Sequence, residues 1–243
     1  MDPDYTALMH ACEDRHWWFV ARRRILAGVL DRFAPRTAGA QVLEAGCGTG
    51  GNLALLARYG ALAAFELDAA ARALASARGV VPVAAGRLPD EIPFSGPFAL
   101  ICALDVLEHL KDDLAALRAL GSRLAPGGRL LVTVPAYRSL WSHHDVVTHH
   151  ERRYRRRELV DRIEAAGLHV RYATYFNTIL FPVVWTIRAL HRATGRAEGS
   201  DVRMPAAPAN ALLTAVFAAE RFLVPPARLP FGVSILAVAE RAG

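Results

Sequence analysis

The segment SHHDVVTHHERRY (142–154) holds the densest group of side chains that could do chemistry. A histidine near its ordinary pKa can exchange a proton at neutral pH, so the segment suits a base or a binding group on the substrate side. Two alternatives stay open. Hydrogen bonds within the segment could only order the loop, or the side chains could bind a metal, although no metalloenzyme spacing is present. The candidate side chains are His143, His144, Asp145, His149 and His150.

A glycine-rich segment, EAGCGTGGN (44–52), stands between a predicted strand and a predicted helix. Its glycines form a GxGxxG pattern at Gly46, Gly48 and Gly51, and Glu66 follows Gly46 by 20 residues. Glycines at such a turn let the backbone approach a ligand closely, and an acid at the end of the next strand binds ribose hydroxyls. The pattern therefore predicts a site for an adenosine-containing cofactor.

Glu44 helps to distinguish two adenosine cofactors. It lies inside the strand, two residues before the first glycine. A carboxylate there would repel the phosphates of NAD, whereas the sulfonium and amino-acid part of S-adenosylmethionine tolerate or favour it. S-adenosylmethionine is the preferred cofactor, and NAD(P) stays open as the alternative.

The elements that position these residues alternate along the chain. Connections of this kind predict right-handed βαβ units and a parallel, doubly wound sheet, with ligands beyond the carboxyl ends of the strands. One helical region is predicted over 4–33, before the first strand. The predicted strands are 41–45, 61–66, 80–85, 98–104, 129–135, 169–176 and 232–241, and the helices between them are 52–59, 69–78, 112–124 and 156–166.

Four ordered motifs carry a resemblance to a known family. VLEAGCGTG (42–50), FELD (65–68), FALICALDVLEHL (98–110) and APGGRLLVTVP (125–135) resemble motifs of class I S-adenosylmethionine-dependent methyltransferases, in particular the ubiquinone- and menaquinone-pathway branch. The resemblance implies an α/β, Rossmann-like, seven-stranded sheet, mostly parallel with an antiparallel last strand. HWWFVARR, VPAYRSLWSHHD, HHERRY and PFGVSILAVAER are similar to a narrower bacterial group of uncertain substrate, of which some members occur in glycan or lipid-linked pathways.

This resemblance implies a set of site residues. The donor would be S-adenosyl-L-methionine and the product S-adenosyl-L-homocysteine, with His144 and His150 as catalytic candidates and no metal. Many relatives carry an acid near position 86 that reaches the adenine amino group. This chain has Gly86 there, so backbone groups of Arg87 and Leu88 are expected to replace it. The cofactor residues implied are Trp18, Arg22, Glu44, Gly46, Cys47, Gly48, Asn52, Glu66, Leu67, Arg87, Leu88, Leu104 and Asp105.

Aromatic and basic residues are concentrated near the N-terminus. Trp17, Trp18 and Phe19 precede Arg22 and Arg23. They predict a helix packed on the domain by its aromatic face, and also a lid in which an arginine pairs with the methionine carboxylate.

Two polar residues follow the fourth predicted strand. Asp105 is expected to face the methionine part of the cofactor. For His109, a cap or packing role on the next helix is favoured.

We expect one domain with a helical cap at 1–38, a core at 39–176 and 228–243, and an apolar helical insertion at 177–227. The insertion would pack in the core or form a homodimer face. The alternatives are a lipophilic-substrate pocket or a peripheral contact with a membrane surface.

Composition limits the partners, the metal or disulfide content and the compartment that can be expected. The net charge of +6 would suit an anionic partner, yet the excess is concentrated in Arg22–Arg24 and in 152–157. The three cysteines form no CxxC pair, which argues against a disulfide framework or zinc site and favours the cytoplasm. The N-terminus is acidic and polar, unlike a signal peptide, and no apolar run reaches about 18 residues.

The expected function is O- or C-methylation of a small, lipophilic or glycan-linked acceptor. An NAD(P)-dependent oxidoreductase is the first alternative, although no Tyr-x-x-x-Lys pair is present and Lys111 is the sole lysine. A non-catalytic, membrane-associated binding protein with the same fold is the second. Nucleic acid is not an expected partner, because strand four is not followed by an Asn/Asp-Pro-Pro-aromatic motif.

Overall fold

A seven-stranded sheet forms the centre of the computed structural model, which describes residues 3–194 and 203–241. Its order is β3-β2-β1-β4-β5-β7-β6. The pairs from β3 to β5 are parallel, and β7 runs antiparallel to both β5 and β6. The predicted fold is therefore confirmed. The strands are β1 (Gln41–Ala45), β2 (Ala61–Glu66), β3 (Val83–Ala85), β4 (Phe98–Leu104), β5 (Leu124–Pro135), β6 (Leu168–Phe176) and β7 (Ser234–Arg241).

Helices cover both faces of this sheet. Several have the start signals that their sequences offer: Asp68 accepts a hydrogen bond from the Ala71 N–H, and Asp112 accepts one from the Ala115 N–H. The helices are α1 (Pro3–Cys12), α2 (Trp17–Phe33), α3 (Leu53–Leu56), α4 (Ala69–Ala77), α5 (Asp113–Gly121), α6 (His143–Val147), α7 (Arg156–Ala165), α8 (Phe181–Thr194) and α9 (Ala207–Ala218).

The order of the strands places the ligand site. β1 pairs with β2 on one side and with β4 on the other, so the direction of winding reverses between β1 and β4. Two connections leave this edge on opposite faces, and a crevice opens between their loops. The glycine-rich segment follows β1 and the Asp105 segment follows β4, so both lie at the crevice.

Several local predictions differ from the structure. β5 begins at Leu124 instead of residue 129, because Leu124, predicted as the end of a helix, pairs with Phe98 of β4. The predicted N-terminal helix is broken at 13–16, where His16 caps the start of α2 and accepts a hydrogen bond from the Trp18 N–H. β3 begins at Val83 instead of residue 80, and the preceding Pro82 has no N–H to donate to a sheet. The histidine segment 142–154, expected to be a loop, contains α6, whose capping box joins Ser142 and Asp145.

The apolar segment before the last strand contains two helices that behave differently. α9 packs on α2 and buries Phe217 and Ala218. α8 has no buried residue and leaves apolar side chains such as Trp185 and Leu190 exposed. Residues 195–202 of the predicted 177–227 insertion lie outside the described residues. Within 3–194 and 203–241, no helix has both the length and the apolar character needed to cross a membrane.

Candidate active site

A cavity of about 400 Å³ lies at the carboxyl ends of β1, β4 and β5, between α1, α2, α6 and α8. Most of the predicted site residues contribute to its wall. Glu66, Leu67, Arg87 and Leu88 lie outside that lining. The predicted residues in the wall are Trp18, Arg22, Glu44, Gly46, Cys47, Gly48, Asn52, Leu104, Asp105, His144 and His150.

The glycine-rich segment folds as a turn in which glycine is required at three positions. Gly46 and Gly48 have φ values of +70° and +55°, in the left-handed region. Gly51 has a different reason to lack a side chain, because a Cβ there would lie 2.1 Å from Oε2 of Glu13. Glu13 in turn accepts a 2.6 Å hydrogen bond from the Thr49 hydroxyl. Glu13, the residue just after α1, thus packs directly against the turn.

Glu66 ties the end of β2 to this turn. Its Oε2 accepts a hydrogen bond from the Gly48 N–H at 2.8 Å, and its Oε1 accepts one from the Asp68 N–H at 2.9 Å. A carboxylate has about four lone-pair sites, so both oxygens can still accept from further donors. The exposed Leu67 follows directly.

Gly86 has no room for the acid found in many relatives. A Cβ at this position would lie 2.7 Å from Cδ of Pro93 and 2.9 Å from the Glu91 carbonyl oxygen. The N–H and carbonyl of Arg87 are already paired with Glu91, at 2.9 and 2.8 Å, and its guanidinium also binds Glu91. The backbone contact to adenine therefore falls to Leu88, and it stays a prediction.

Arg22 is buried and held by two partners. Its Nη2 lies 2.9 Å from Asp105 Oδ2 and donates to the Thr133 hydroxyl at 2.7 Å. That hydroxyl donates to Asp105 Oδ1 at 2.8 Å. Nε of Arg22 is buried without a hydrogen-bond partner within the described part of the chain. Asp105 thus orients Arg22, and one donor of the guanidinium stays available in the pocket wall.

Glu44 is the acidic counterpart of Arg22 in the same wall. Asn52 donates a 3.2 Å hydrogen bond to Oε1, whereas the buried Oε2 has no partner among the described residues. Burial raises the pKa of Glu44 to about 8, against the opposing effects of Asn52 and Arg22. A cationic ligand would stabilise the ionised form of this buried carboxyl group.

Aromatic residues of α2 both pack on α9 and line the cavity. The Trp18 ring lies 5.2 Å from Phe217 and the Trp17 ring lies 5.9 Å from it, so α2 is fixed on α9. Trp17, Trp18 and Phe19 also line the cavity. The packing role and the lid role predicted for this segment are compatible in the structure.

The histidine segment is organised by the buried Asp145. This carboxylate accepts from Arg153 Nε at 2.7 Å and Nη2 at 2.8 Å, and from the Ser142 N–H at 2.8 Å. His150 Nδ1 lies 2.7 Å from Asp145 Oδ1. Burial alone would raise the pKa of Asp145, but hydrogen bonds from His150 and Arg153 hold that pKa well below its usual range. Because a carboxylate only accepts, His150 Nδ1 carries a proton, which leaves the lone pair on Nε2 in the neutral ring.

Of the four histidines in this segment, the structure brings two into the pocket. His144 lines the cavity, and its Nδ1 lies 2.6 Å from the Tyr5 hydroxyl. His150 also lines it. His143 and His149 are exposed and do not contribute to the lining.

Two neighbours of Asp105 lie in the pocket although sequence reasoning gave them no site role. Glu108 is buried, and neither carboxylate oxygen has a partner in the described chain. His109, predicted to cap or pack the next helix, lines the cavity with its ring 4.6 Å from that of His150. Burial lowers the pKa of His109 to about 4, so its ring is neutral at pH 7. The motif ALDVLEHL contains both residues, but not the direction of their side chains.

Residues 18–173 match a family model described as a methyltransferase domain. Trans-aconitate 2-methyltransferase of Deinococcus radiodurans is 35% identical over 132 residues, which cover 54% of this chain and 51% of that protein. Ubiquinone biosynthesis O-methyltransferase of Xanthomonas campestris is 39% identical over 116 residues, covering 43% and 47%. The chain thus spans about half the length of these curated relatives.

A solved structure shares the fold across nearly the whole chain. It is the complex between the Haloferax volcanii Trm112 methyltransferase activator and a methyltransferase, with a TM-score of 0.64 and 17% identity. The superposition covers 99% of this chain and 95% of that one.

Proposed function

Since the chain belongs to the class I S-adenosylmethionine-dependent methyltransferases, we propose that it methylates a hydroxyl oxygen of a small acceptor. Family membership implies S-adenosylmethionine as the donor. When bound, this cofactor supplies an electrophilic methyl group on a positively charged sulfur and is left as S-adenosylhomocysteine. What the residues of this chain must do is bind the donor, orient the acceptor and accept a proton.

One observation carries the proposal. Glu44 Oε2 and Arg22 Nε are both buried without partners among the described residues, and both belong to the wall of one cavity. The methionine part of the cofactor is a zwitterion, so its ammonium fits Glu44 and its carboxylate fits Arg22. NAD offers no such group, and its phosphates would face the Glu44 carboxyl. The residues present therefore fit S-adenosylmethionine.

The other cofactor residues extend from this point toward β2. In the proposal the turn residues Gly46, Cys47 and Gly48 contact the donor with their backbone, and Glu66 accepts from the ribose hydroxyls. Leu67 and Leu88 would hold the adenine. Trp18, Asn52 and Leu104 would enclose the methionine end, with Asp105 acting through Arg22.

The acceptor occupies the half of the cavity beside α6. We assign proton acceptance to His144 Nε2, in the tautomer whose Nδ1–H donates to the Tyr5 hydroxyl oxygen 2.6 Å away, and acceptor binding to His150 Nε2. General-base catalysis contributes about 10²- to 10⁴-fold. Alignment of the acceptor oxygen with the methyl group contributes more, up to about 11 kcal/mol.

The outer wall of the cavity indicates an acceptor with an apolar body. α8 contributes Val184 and Ile187 together with the polar Arg188 and His191. Arg188 donates a hydrogen bond to the Leu140 carbonyl, which holds α8 against the acceptor half. A small hydroxyl compound with an apolar portion matches this mixture better than a fully charged one.

Thermal denaturation with two cofactors tests the proposal. S-adenosylhomocysteine at 100 times its dissociation constant should stabilise the protein by about 2.7 kcal/mol, because it binds the folded state alone. NAD at the same concentration should leave Tm unchanged. A shift with NAD and none with S-adenosylhomocysteine would support an oxidoreductase. Binding of S-adenosylhomocysteine without turnover of any phenolic or lipid-linked hydroxyl acceptor would favour a binding protein.

The pH dependence of cofactor binding should report Glu44. In the free protein its pKa is about 8, under the influence of Asn52 and Arg22, which lower it, and of Glu13 and Glu66, which raise it. If the ammonium group of the ligand binds ionised Glu44, a proton leaves on binding below pH 8. Affinity should then rise with pH between 6 and 8, by at most about tenfold per unit.

Isothermal titration calorimetry in two buffers of different ionisation enthalpy measures this proton release. The Glu44→Gln variant should bind more weakly and show a flatter profile, because it has no proton to lose. Equal slopes for the two proteins would remove Glu44 from the ammonium site.

A further inference from the structure

Three side chains from two segments of the chain converge in the acceptor half of the cavity. A carboxylate oxygen of Glu108 and one ring nitrogen each of His109 and His150 lie within 4.8 Å of one another. Glu108 and His109 follow β4, whereas His150 follows α6. The fold therefore brings His150 next to two residues that are far from it in the sequence. All three residues line the cavity.

Both histidines have a hydrogen-bond partner outside the cluster. His150 Nδ1 donates to Asp145 at 2.7 Å, and Asp145 is itself fixed by Arg153. The His109 ring is hydrogen-bonded to the Thr148 backbone. Metal-binding histidines almost always donate their second N–H to a carboxylate or a backbone carbonyl, which fixes ring and tautomer. His150 has such a partner in Asp145.

Glu108 is an independent indication of a missing cation. It is 1% exposed, and neither oxygen has a hydrogen-bond partner in the described ranges. The two arginines whose charges act on Glu108 are already paired with other carboxylates: Arg22 binds Asp105 and Arg153 binds Asp145. A buried carboxylate without a partner is costly, and buried charges in proteins are paired or coordinate metals.

We propose that Glu108, His109 and His150 bind a divalent first-row transition-metal cation of the Zn²⁺ or Mn²⁺ type. Two imidazoles and one carboxylate are a donor set for such ions and leave coordination positions open. Ca²⁺ would require six to eight oxygen ligands. The sequence analysis favoured no metal, because no metalloenzyme spacing is present, and Glu108 and His109 stand outside the histidine segment in which it left a metal site open.

The site deepens the proposed function, on which its role in the reaction rests. A bound ion would keep an open coordination position for the acceptor hydroxyl, and His150, assigned above to acceptor binding, would then act on the acceptor through the ion. A hydroxyl bound to a divalent cation loses its proton more easily and is held in a fixed place. His144, which is not in the cluster, then accepts that proton.

Titration of the full chain with Co²⁺ after dialysis against EDTA tests the site without any turnover. We expect visible d–d absorption that saturates at one ion per chain and is displaced by Zn²⁺. Glu108→Gln keeps the shape of the side chain and removes the carboxylate ligand without placing a new charge in the interior, so the variant should fold. It should weaken Co²⁺ affinity by at least about tenfold. The exposed neighbour His149 supplies the control: His149→Asn should leave the affinity unchanged.

Three outcomes would overturn the inference: no saturable binding by the wild type, equal affinity in Glu108→Gln, or an equal loss in His149→Asn, which would indicate a surface site. S-adenosylhomocysteine binding, measured on the same samples, separates this result from the proposed function. If that ligand binds and the metals do not, the metal site fails alone. If the metals bind and the ligand does not, the proposed function fails and the site stands.

Discussion

Replacing Arg22 with methionine should weaken S-adenosylhomocysteine binding by about 10- to 150-fold, the effect of losing a hydrogen bond to a charged group. The change removes the unpartnered Nε donor and keeps much of the apolar length of the side chain. Arg22→Lys keeps the charge beside Asp105 but loses the planar fork, so it should restore little affinity.

Arg24→Met is the matched control for this prediction. Arg24 lies two residues further along the same helix and is exposed, so its loss should leave the dissociation constant unchanged by calorimetry. An Arg22→Met protein that binds as tightly as the wild type would place the carboxylate of the ligand elsewhere.

The Asp145→Asn variant should lose about 3–5 kcal/mol of unfolding free energy, because it leaves the buried Arg153 guanidinium without its carboxylate. It should also slow methyl transfer more than tenfold, since an amide does not fix His150 with its lone pair on Nε2. Urea denaturation followed by circular dichroism measures the first effect, and initial rates well below the unfolding midpoint measure the second.

Asp161→Asn provides the comparison. Its partner Arg157 is 3.9 Å away and both side chains are exposed, so the expected change in stability is below about 0.5 kcal/mol. Similar stability losses in the two variants would mean that Asp145 does not organise the acceptor half.

The sheet could be predicted because its signals are local. Short apolar runs bounded by glycine and proline mark the strands, and the antiparallel β7 followed from the family motifs. The break at 13–16 could not be predicted, since Glu13 turns toward Thr49, which is 36 residues away. The same limit applies to Gly86, whose missing side chain is explained by contact with Pro93 and Glu91.

The residue types of the candidate site could be predicted from the sequence, but the contacts between those residues could not. Sequence reasoning placed Arg22 and Asp105 separately at the methionine end, whereas the structure joins them at 2.9 Å. It chose His144 and His150 as catalytic candidates, and these are the two histidines of the segment that line the cavity, but it could not identify the role of Asp145 in orienting one of them. Glu108 escaped notice because burial without a partner is a property of the packed chain.

The seating of α1 has a consequence for the exchange of ligands. Tyr5, near the start of α1, contacts His144 in the acceptor half, and Glu13, directly after α1, contacts Thr49 at the donor turn. A displacement of this one short helix breaks both contacts together. We therefore expect a movement of α1 to open the donor turn and the acceptor half of the cavity together.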